Sequence, residues 1–506
     1  MVTTASPESA NNEIGAPITS SSASGAANET PEQIKRELEA KLAGIQKAFA
    51  QDRYPTYEAR VDRLDRCITM LVDHQDALCD AVAADFGCRS KYVTLLSEIM
   101  ISVGNLKNTK KNLKRWMRPQ KRKAPFPMNL MGAKSRVHYQ PKGVIGVMTP
   151  WNVPVAMFFS PLADALGAGN RVMVKPSEFT PRTSALLAEL TAKYFDANEI
   201  SVCTGDAATG AAFSALPFDH LIFTGGTGIG RHVMRAAADN LTPVTLELGG
   251  KSPVIVSRST DIERTADSII SGKAMNAGQL CISPDYAFVP EESLEAFISQ
   301  CQTTIQEQFP SVIDNPDFVS LINERHYDRI NGYLDDAKAK GARIEMLMPA
   351  GETFADRSLH RMPIHLVVNP SDDMLVMQEE IFGPILNIKT YKNIDDCINY
   401  IGDRPHPLAL YYYGSDNSEK DHVLAQTTAG GVSINDTMMH FACDDLPFGG
   451  IGASGMGHYH GFDGYKTFSH AKAVFQQSRV NLAKLAGTLP PFSEKLDKIL
   501  AAQIKK

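Results

Sequence analysis

The chain has 506 residues, 43% hydrophobic and 21% charged, with a formal net charge of −6. That balance is ordinary for a globular protein, and the length suggests two or three domains that each bury a core. The acidic total excludes the broad basic footprint of a nucleic-acid binder.

In chain order, residues 1–33 are rich in Ser, Ala, Asn, Thr and Glu and lack the basic and apolar regions of a secretory signal. They read as a disordered extension. From about residue 31 to 117 the pattern is helical, with Leu64, Cys67, Ile68, Leu71 and Val72 at spacings of three and four. A dense run of Lys and Arg over 107–123 reads as a solvated helix end and loop, with an acidic partner surface as the alternative. The apolar stretch 143–169 is broken by Pro150, Asn152, Pro154, Pro161 and Asp164, so it reads as buried core rather than a membrane span. After Pro141, strand-like segments at 143–148, 171–174, 220–224, 253–256, 286–290, 365–368, 384–391, 408–413 and 431–435 alternate with helical ones. This alternation predicts βαβ units and an α/β fold of two doubly wound parallel-sheet domains with a small terminal β element. Cys67, Cys79, Cys88, Cys203, Cys281, Cys301, Cys397 and Cys443 stand singly. Without a CxxC pair they argue against a disulfide framework or structural zinc and fit a reduced, cytoplasmic protein.

Several short motifs carry chemistry. Cys281 closes the small, polar segment Asn276-Ala-Gly-Gln-Leu-Cys, surroundings that suit a reactive thiol better than an inert core cysteine. Glu247, between two leucines and before Gly249-Gly250, is either a solvated carboxylate on an edge strand or a partly buried base with a raised pKa. Pro150 and Pro154 bracket Asn152, giving either a rigid turn or an amide held for a developing oxyanion. Lys175 and Glu178 follow a strand and could bridge the hydroxyls of an adenosine ribose. The glycine-rich 223–230 segment, containing Gly225, Thr227 and Gly230, follows another strand and opens a helix, which suits a pyrophosphate, although it does not match GxGxxG. Glu380 and Phe382, just before a strand, could hold the nicotinamide ribose and brace its ring.

Taken together, PWN at 150–152, KPSE at 175–178, FTGGTGIG at 223–230, LELGGK at 246–251, NAGQLC at 276–281, EEIFGP at 379–384 and PFGG at 447–450 resemble the aldehyde dehydrogenase superfamily in content and order. The resemblance runs from about residue 35 to 475. The segments 281–286 and 454–461 look like the branch holding class 3 and fatty aldehyde dehydrogenases. Within it, the N-terminal region and residues 148–159 are most similar to the coniferyl aldehyde group.

The resemblance implies Cys281 as nucleophile, Glu247 as general base, and Asn152 with the Cys281 N–H as oxyanion site. It implies a cofactor site drawing on Trp151, Lys175, Glu178, Gly225, Thr227, Gly230, Leu248, Gly249, Glu380 and Phe382, with no metal. Thr227 departs from the residue common in the family, which puts its contact in doubt. NAD is the implied cofactor, because a carboxylate at 178 should repel a 2′-phosphate, and NADP is possible because the branch often tolerates it. The implied domains are a NAD(P)-binding domain over 34–123 and 141–247, a catalytic domain over 248–459, an oligomerisation element over 124–140 and 460–476, and a tail over 477–506. A homodimer is implied, joined near 124–140 and 465–476. The tail is amphipathic, covering a partner's tunnel mouth or packing on the surface.

The implied reaction is oxidation of an aldehyde, coniferyl or a related aromatic one, to the acid through a cysteine thioester. Broad aliphatic specificity, coenzyme A acylation, thiol esterase activity and a non-enzymatic relative are the alternatives. Glu247 argues against acylation, and the cofactor residues argue against a bare esterase. Residues 151–159 with His440 and Phe441 either line an apolar tunnel or, for Phe158 and Phe159, simply fill the core.

Overall fold

Pro31 opens the first helix, Pro31–Gln51, in a computed structural model that describes residues 30–505 except 127, 350, 354–356, 482, 485 and 486. Thr30 caps this helix: its hydroxyl accepts the Gln33 N–H at 3.3 Å while the Gln33 side chain accepts the Thr30 N–H at 2.7 Å. This reciprocal cap, with proline at the first helical position, starts the helix inside the segment expected as an extension. The rest of that segment, residues 1–29, lies outside the described residues.

The first sheet has six strands in the order Gly455–Met456, Val244–Glu247, His220–Thr224, Val144–Met148, Arg171–Lys175 and Ile200–Val202. All pairings are parallel except that of Gly455–Met456. The chain progresses outward in one direction from Val144–Met148 and then returns to its other side at His220–Thr224. The carboxyl ends of these two strands therefore frame a topological switch point. The sequence pattern did not foresee the short strands at 200–202 and 455–456.

The second sheet has seven strands in the order Arg343–Leu347, Ile364–Val368, Ile385–Tyr391, Pro284–Pro290, Ser252–Val256, Ala409–Tyr413 and Gly431–Ile434. Only the Arg343–Leu347 edge is antiparallel. Its central strands are buried along their whole length, which explains their unbroken apolar character. Residues 248–251 alone separate Val244–Glu247 from Ser252–Val256, a reach of roughly 13–18 Å. The carboxyl edge of the first sheet thus meets the amino edge of the second.

Gln120–Arg122, Lys134–Pro141 and Ser469–Gln476 form a third, antiparallel sheet. It takes in residues before 124, and residues 461–467 are helical rather than extended. The basic run ends the helix Met100–Trp116, where Lys114 and Arg115 complement the helix dipole. Ahead of that helix, Leu95–Ile99 forms a π-turn that no sequence signal announced. Within the tail, Glu494–Gln503 is a helix with no buried residue. Among the described residues no helix is long and apolar enough to cross a membrane.

Phe158 and Phe159 are 1% and 0% exposed and pack on each other with centroids 5.1 Å apart, so they belong to the core and not to a tunnel. Phe159→Ala should lower unfolding stability by about 3–5 kcal/mol, the usual cost of an aromatic cavity. Urea denaturation followed by circular dichroism measures it; a loss below about 1 kcal/mol would contradict this packing.

Candidate active site

Where the two sheets meet, a cavity of about 1940 Å³ opens. It is lined by Trp151, Asn152, Lys175, Glu178, Gly225, Thr227, Glu247, Leu248, Gly249, Cys281, Glu380 and Phe382. Of the residues expected to take part, only Gly230 is not on this lining. Its Cα lies under Leu248, where an added Cβ would come within 2.6 Å of the leucine side chain, so glycine there serves helix–strand packing.

Cys281 stands on the amino side of Pro284–Pro290. The preceding residues Asn276, Ala277 and Gly278 all have positive φ, at 51°, 53° and 71°. Two non-glycine residues in the left-handed region are strained and persist only where the surroundings hold them. Gln279 supplies that hold: its amide donates to the Asn276 and Ser320 carbonyls at 2.9 and 3.1 Å, and its oxygen accepts the Ile322 N–H at 3.0 Å. Lys273 donates to the Pro284 carbonyl at 2.9 Å from a fully buried position that pulls its pKa down to about 8. On the other side, the Tyr411 hydroxyl donates to the Ile282 carbonyl. Burial, with the carboxyls of Glu380 and Glu247 adding to it, pushes the Cys281 thiol up to about 12.

Glu247 ends its strand with 2% exposure, and neither carboxyl oxygen has a hydrogen-bond partner among the described residues. The reading of a solvated edge-strand glutamate is excluded, because Gly455 pairs with Glu247 and covers that edge. Burial raises this carboxyl well above the ordinary range. Asn152, 5% exposed, donates its amide to the Gln279 carbonyl at 3.0 Å. An amide has two N–H donors, so one remains for a ligand in the cavity. The Asn152 carbonyl in turn accepts from Asn276 at 3.0 Å, tying the Asn152 turn to the Cys281 loop.

The remaining lining residues suit a dinucleotide. Lys175 and Glu178 pair at 2.7 Å beyond a strand carboxyl end. Gly226 caps the helix Thr227–Ala238, and the space that a Cβ would fill at Gly226 and Gly228 is empty. An anion can therefore reach the N–H groups of that helix terminus. The Thr227 hydroxyl is instead directed to the Ala453 carbonyl at 3.3 Å. At the other end, the Glu380 carboxyl lies so close over Gly249 that any side chain there would collide with it. Burial and the neighbouring Asp285 raise Glu380 to about 8. Phe382 makes an edge contact with Trp151 at 5.3 Å.

Sequence reasoning missed the groups that hold this second-sheet edge. Lys251 donates to the Val376 and Glu379 carbonyls at 2.7 and 2.8 Å and also pairs with Asp285, whose other oxygen accepts the Ile381 N–H at 2.9 Å. Arg329 donates to the carbonyls of Glu380, Ile381 and Phe382 at 3.4, 2.9 and 3.3 Å. Lys251 stands inside a quoted motif and could have been suspected, whereas Arg329 has no local signal. Among the described residues no cluster of three or more His, Cys, Asp or Glu is placed to hold a metal.

The parallel switch-point sheet and the cavity spanning it define a dinucleotide-binding class of α/β protein. A profile of the aldehyde dehydrogenase family matches residues 5–474. The chain is 51% identical over 460 residues to a "Probable coniferyl aldehyde dehydrogenase" of Caulobacter vibrioides, covering 91% of this chain and 95% of that one. It is also 51% identical over 454 residues to the coniferyl aldehyde dehydrogenase of a Pseudomonas species, covering 90% and 94%. Among solved structures, the substrate-bound state of Staphylococcus aureus AldH superposes with a TM-score of 0.86 at 34% identity, covering 92% of this chain and 99% of that one. A Mycobacterium tuberculosis aldehyde dehydrogenase complexed with NAD+ superposes at 0.79 and 27% identity, covering 88% and 91%. The chain belongs to the aldehyde dehydrogenase family.

The electrostatics of the thiol are directly measurable. In the cofactor-free protein, alkylation of Cys281 by iodoacetamide should accelerate steadily as pH rises above neutrality. Glu380→Gln removes a negative charge that opposes the thiolate, so its alkylation curve should shift to lower pH. An unshifted curve would show that the Glu380 carboxyl does not act on the thiol.

Proposed function

We propose that the protein oxidises an aromatic aldehyde, coniferyl aldehyde or a close relative, to its carboxylic acid with NAD+. The observation that carries the reading is that the Cys281 thiol and the unpartnered Glu247 carboxyl face one cavity that also reaches Lys175 and Glu178. The shared name of the two bacterial relatives at 51% identity supports the substrate. The cavity wall supports it too, since Met157, Phe441, Phe448 and Tyr459 form an apolar, aromatic lining near the thiol. His440 stands behind that wall, with its Nδ1 and the Ser433 hydroxyl 2.8 Å apart.

In the proposed mechanism Cys281 adds as thiolate to the aldehyde carbon, and the free N–H of Asn152 with the Cys281 N–H receives the oxyanion. Glu247 takes the thiol proton: a buried carboxyl with a raised pKa is a far better match for a thiol than a solvated one. A bound nicotinamide would supply the acceptor for the hydride that leaves the tetrahedral carbon, and a thioester would remain on Cys281. Once Glu247 has given the thiol proton to solvent, its carboxylate draws a proton from the attacking water; the hydroxyl adds to the thioester carbon, the C–S bond breaks, and the acid leaves with Cys281 restored. Lys175 and Glu178 would hold the adenosine ribose, the helix terminus at Gly226 the pyrophosphate, and Glu380 and Phe382 the nicotinamide half. We place the protein in the cytoplasm as a homodimer, joined through the three-stranded sheet.

The apolar wall also suits a long aliphatic aldehyde. Cofactor reduction should therefore be followed spectrophotometrically with coniferyl aldehyde, cinnamaldehyde, benzaldehyde, a fatty aldehyde and acetaldehyde, each with NAD+ and NADP+. A kcat/KM highest for coniferyl aldehyde is expected. A higher value for the fatty aldehyde would replace this substrate with a broad aliphatic one, and turnover only with coenzyme A would overturn hydrolysis. Cys281→Ala should abolish oxidation, and Glu247→Gln should lower kcat by about 10²–10⁴-fold, the range for a lost general base.

A further inference from the structure

Arg89 and Glu98 form an ion pair at 2.6 Å with both side chains wholly buried. Neither reaches the cavity, and no motif in the sequence contains them. Burying two charges is costly, and an apolar pair of similar volume is often as stable or more so. Stability alone therefore gives little reason for this pair, and its hydrogen bonds indicate what it does instead.

Arg89 directs one guanidinium N–H to the Asn152 carbonyl at 2.8 Å. Glu98 accepts the Val155 and Ala156 N–H groups at 2.6 and 3.2 Å, at the start of the helix Pro154–Gly167. That helix has no side-chain cap of its own from Val153, so Glu98 supplies it from another element. The pair thus grips the backbone on both sides of the Asn152–Pro154 turn. Phe86 lies against the guanidinium at 4.8 Å and against Trp151 at 6.3 Å, filling the space behind the turn. The π-turn Leu95–Ile99 carries Glu98, and its neighbours Leu96 and Ser97 line the cavity.

We propose that the Arg89–Glu98 pair is a positioning device that aims the Asn152 amide at the substrate oxygen; this rests on the reading of Asn152 as an oxyanion donor. With the backbone held at its carbonyl and at the following helix start, the amide keeps one N–H on the Gln279 carbonyl and presents the other to the ligand. An oxyanion donor works only when it stands within hydrogen-bond reach of the atom that gains charge, so loosening this turn should act on rate and not on cofactor affinity.

The test is a double-mutant cycle on kcat/KM for the best aldehyde of the panel, with Arg89→Met, Arg89→Lys and Glu98→Gln each made alone and with Asn152→Ala. Asn152→Ala alone should cost about 10²–10³-fold. Arg89→Met and Glu98→Gln should each cost on the order of 10-fold or more with Asn152 present and less than about 2-fold in the Asn152→Ala background. Arg89→Lys should recover part of the loss, and the Kd for NAD+ should stay unchanged in all of them. Glu98→Gln is nearly isosteric and Arg89→Lys keeps the charge, so both test the idea if Arg89→Met does not fold. Equal losses in the two backgrounds, a weakened NAD+ affinity that accounts for the loss, or no loss at all would overturn the positioning role. Full activity in Asn152→Ala would instead refute the oxyanion reading beneath it.

Discussion

The cleft is organised around a carboxyl group left without a partner. Glu247 is buried at the end of a strand, both of its oxygens unsatisfied among the described residues. Leaving a buried polar group unpaired costs roughly 1–3 kcal/mol. The fold tolerates that cost because the strands on either side are fixed: Val244–Glu247 pairs with His220–Thr224 on one edge and with Gly455–Met456 on the other. A carboxyl that no neighbour engages is open to a ligand or a water, and burial makes its carboxylate form the stronger base, which is what the proposed role requires.

The two sheets supply different kinds of edge to this carboxyl. The first offers strand carboxyl ends at a switch point, the usual place for a nucleotide in an open α/β sheet. The second offers strand amino ends, whose loops have no such general role and must be individually tied down. That explains the concentration of long side chains bonded to backbone there: Gln279 for the turn before Cys281, Lys251 and Arg329 for the 379–382 loop. Each cation reaches several carbonyls at once, a task suited to a multi-donor head group on a flexible stem. The strained φ values at Asn276 and Ala277 belong to the same design, since a left-handed turn that is not glycine throughout persists only within such a network.

What could be read from the sequence follows the same division. Buried parallel strands advertise themselves as continuous apolar runs, so most of both sheets were expected from pattern alone. The edge strand at 455–456 was not, because two residues make no pattern, and its absence kept a solvated Glu247 plausible. The residues proposed to act on substrate or cofactor sit in compact motifs and were found, whereas Arg329, Leu96 and Ser97, which also line the cavity, were not. Gly230 was grouped with the motif residues by the glycine pattern, although the pattern cannot distinguish a glycine that admits a ligand from one that admits Leu248. Phe158 and Phe159 show the converse ambiguity: the helix Pro154–Gly167 is apolar all round, so no face could be chosen without knowing what surrounds it. Groups that act from a distance along the chain left no trace. Arg89 lies 63 residues from the carbonyl it holds, and Glu98 lies 57 from its first N–H partner.

Those long separations also bear on how the site is kept rigid. The segment 150–153 has no regular structure, and Pro150 and Pro154 restrict only their own φ angles and their neighbours. Contacts from three other places converge on it: the Cys281 loop through Asn276 and Gln279, the guanidinium of Arg89, and the carboxylate of Glu98 at the helix start. Two of these bonds link Asn152 to the very loop that carries the thiol. A shift of either loop therefore moves both, so the distance between thiol and amide is maintained even where the surrounding cavity adapts to a ligand. For a reaction that needs an attacking sulfur and an oxyanion donor on one carbonyl group, that shared attachment matters more than the rigidity of either loop alone.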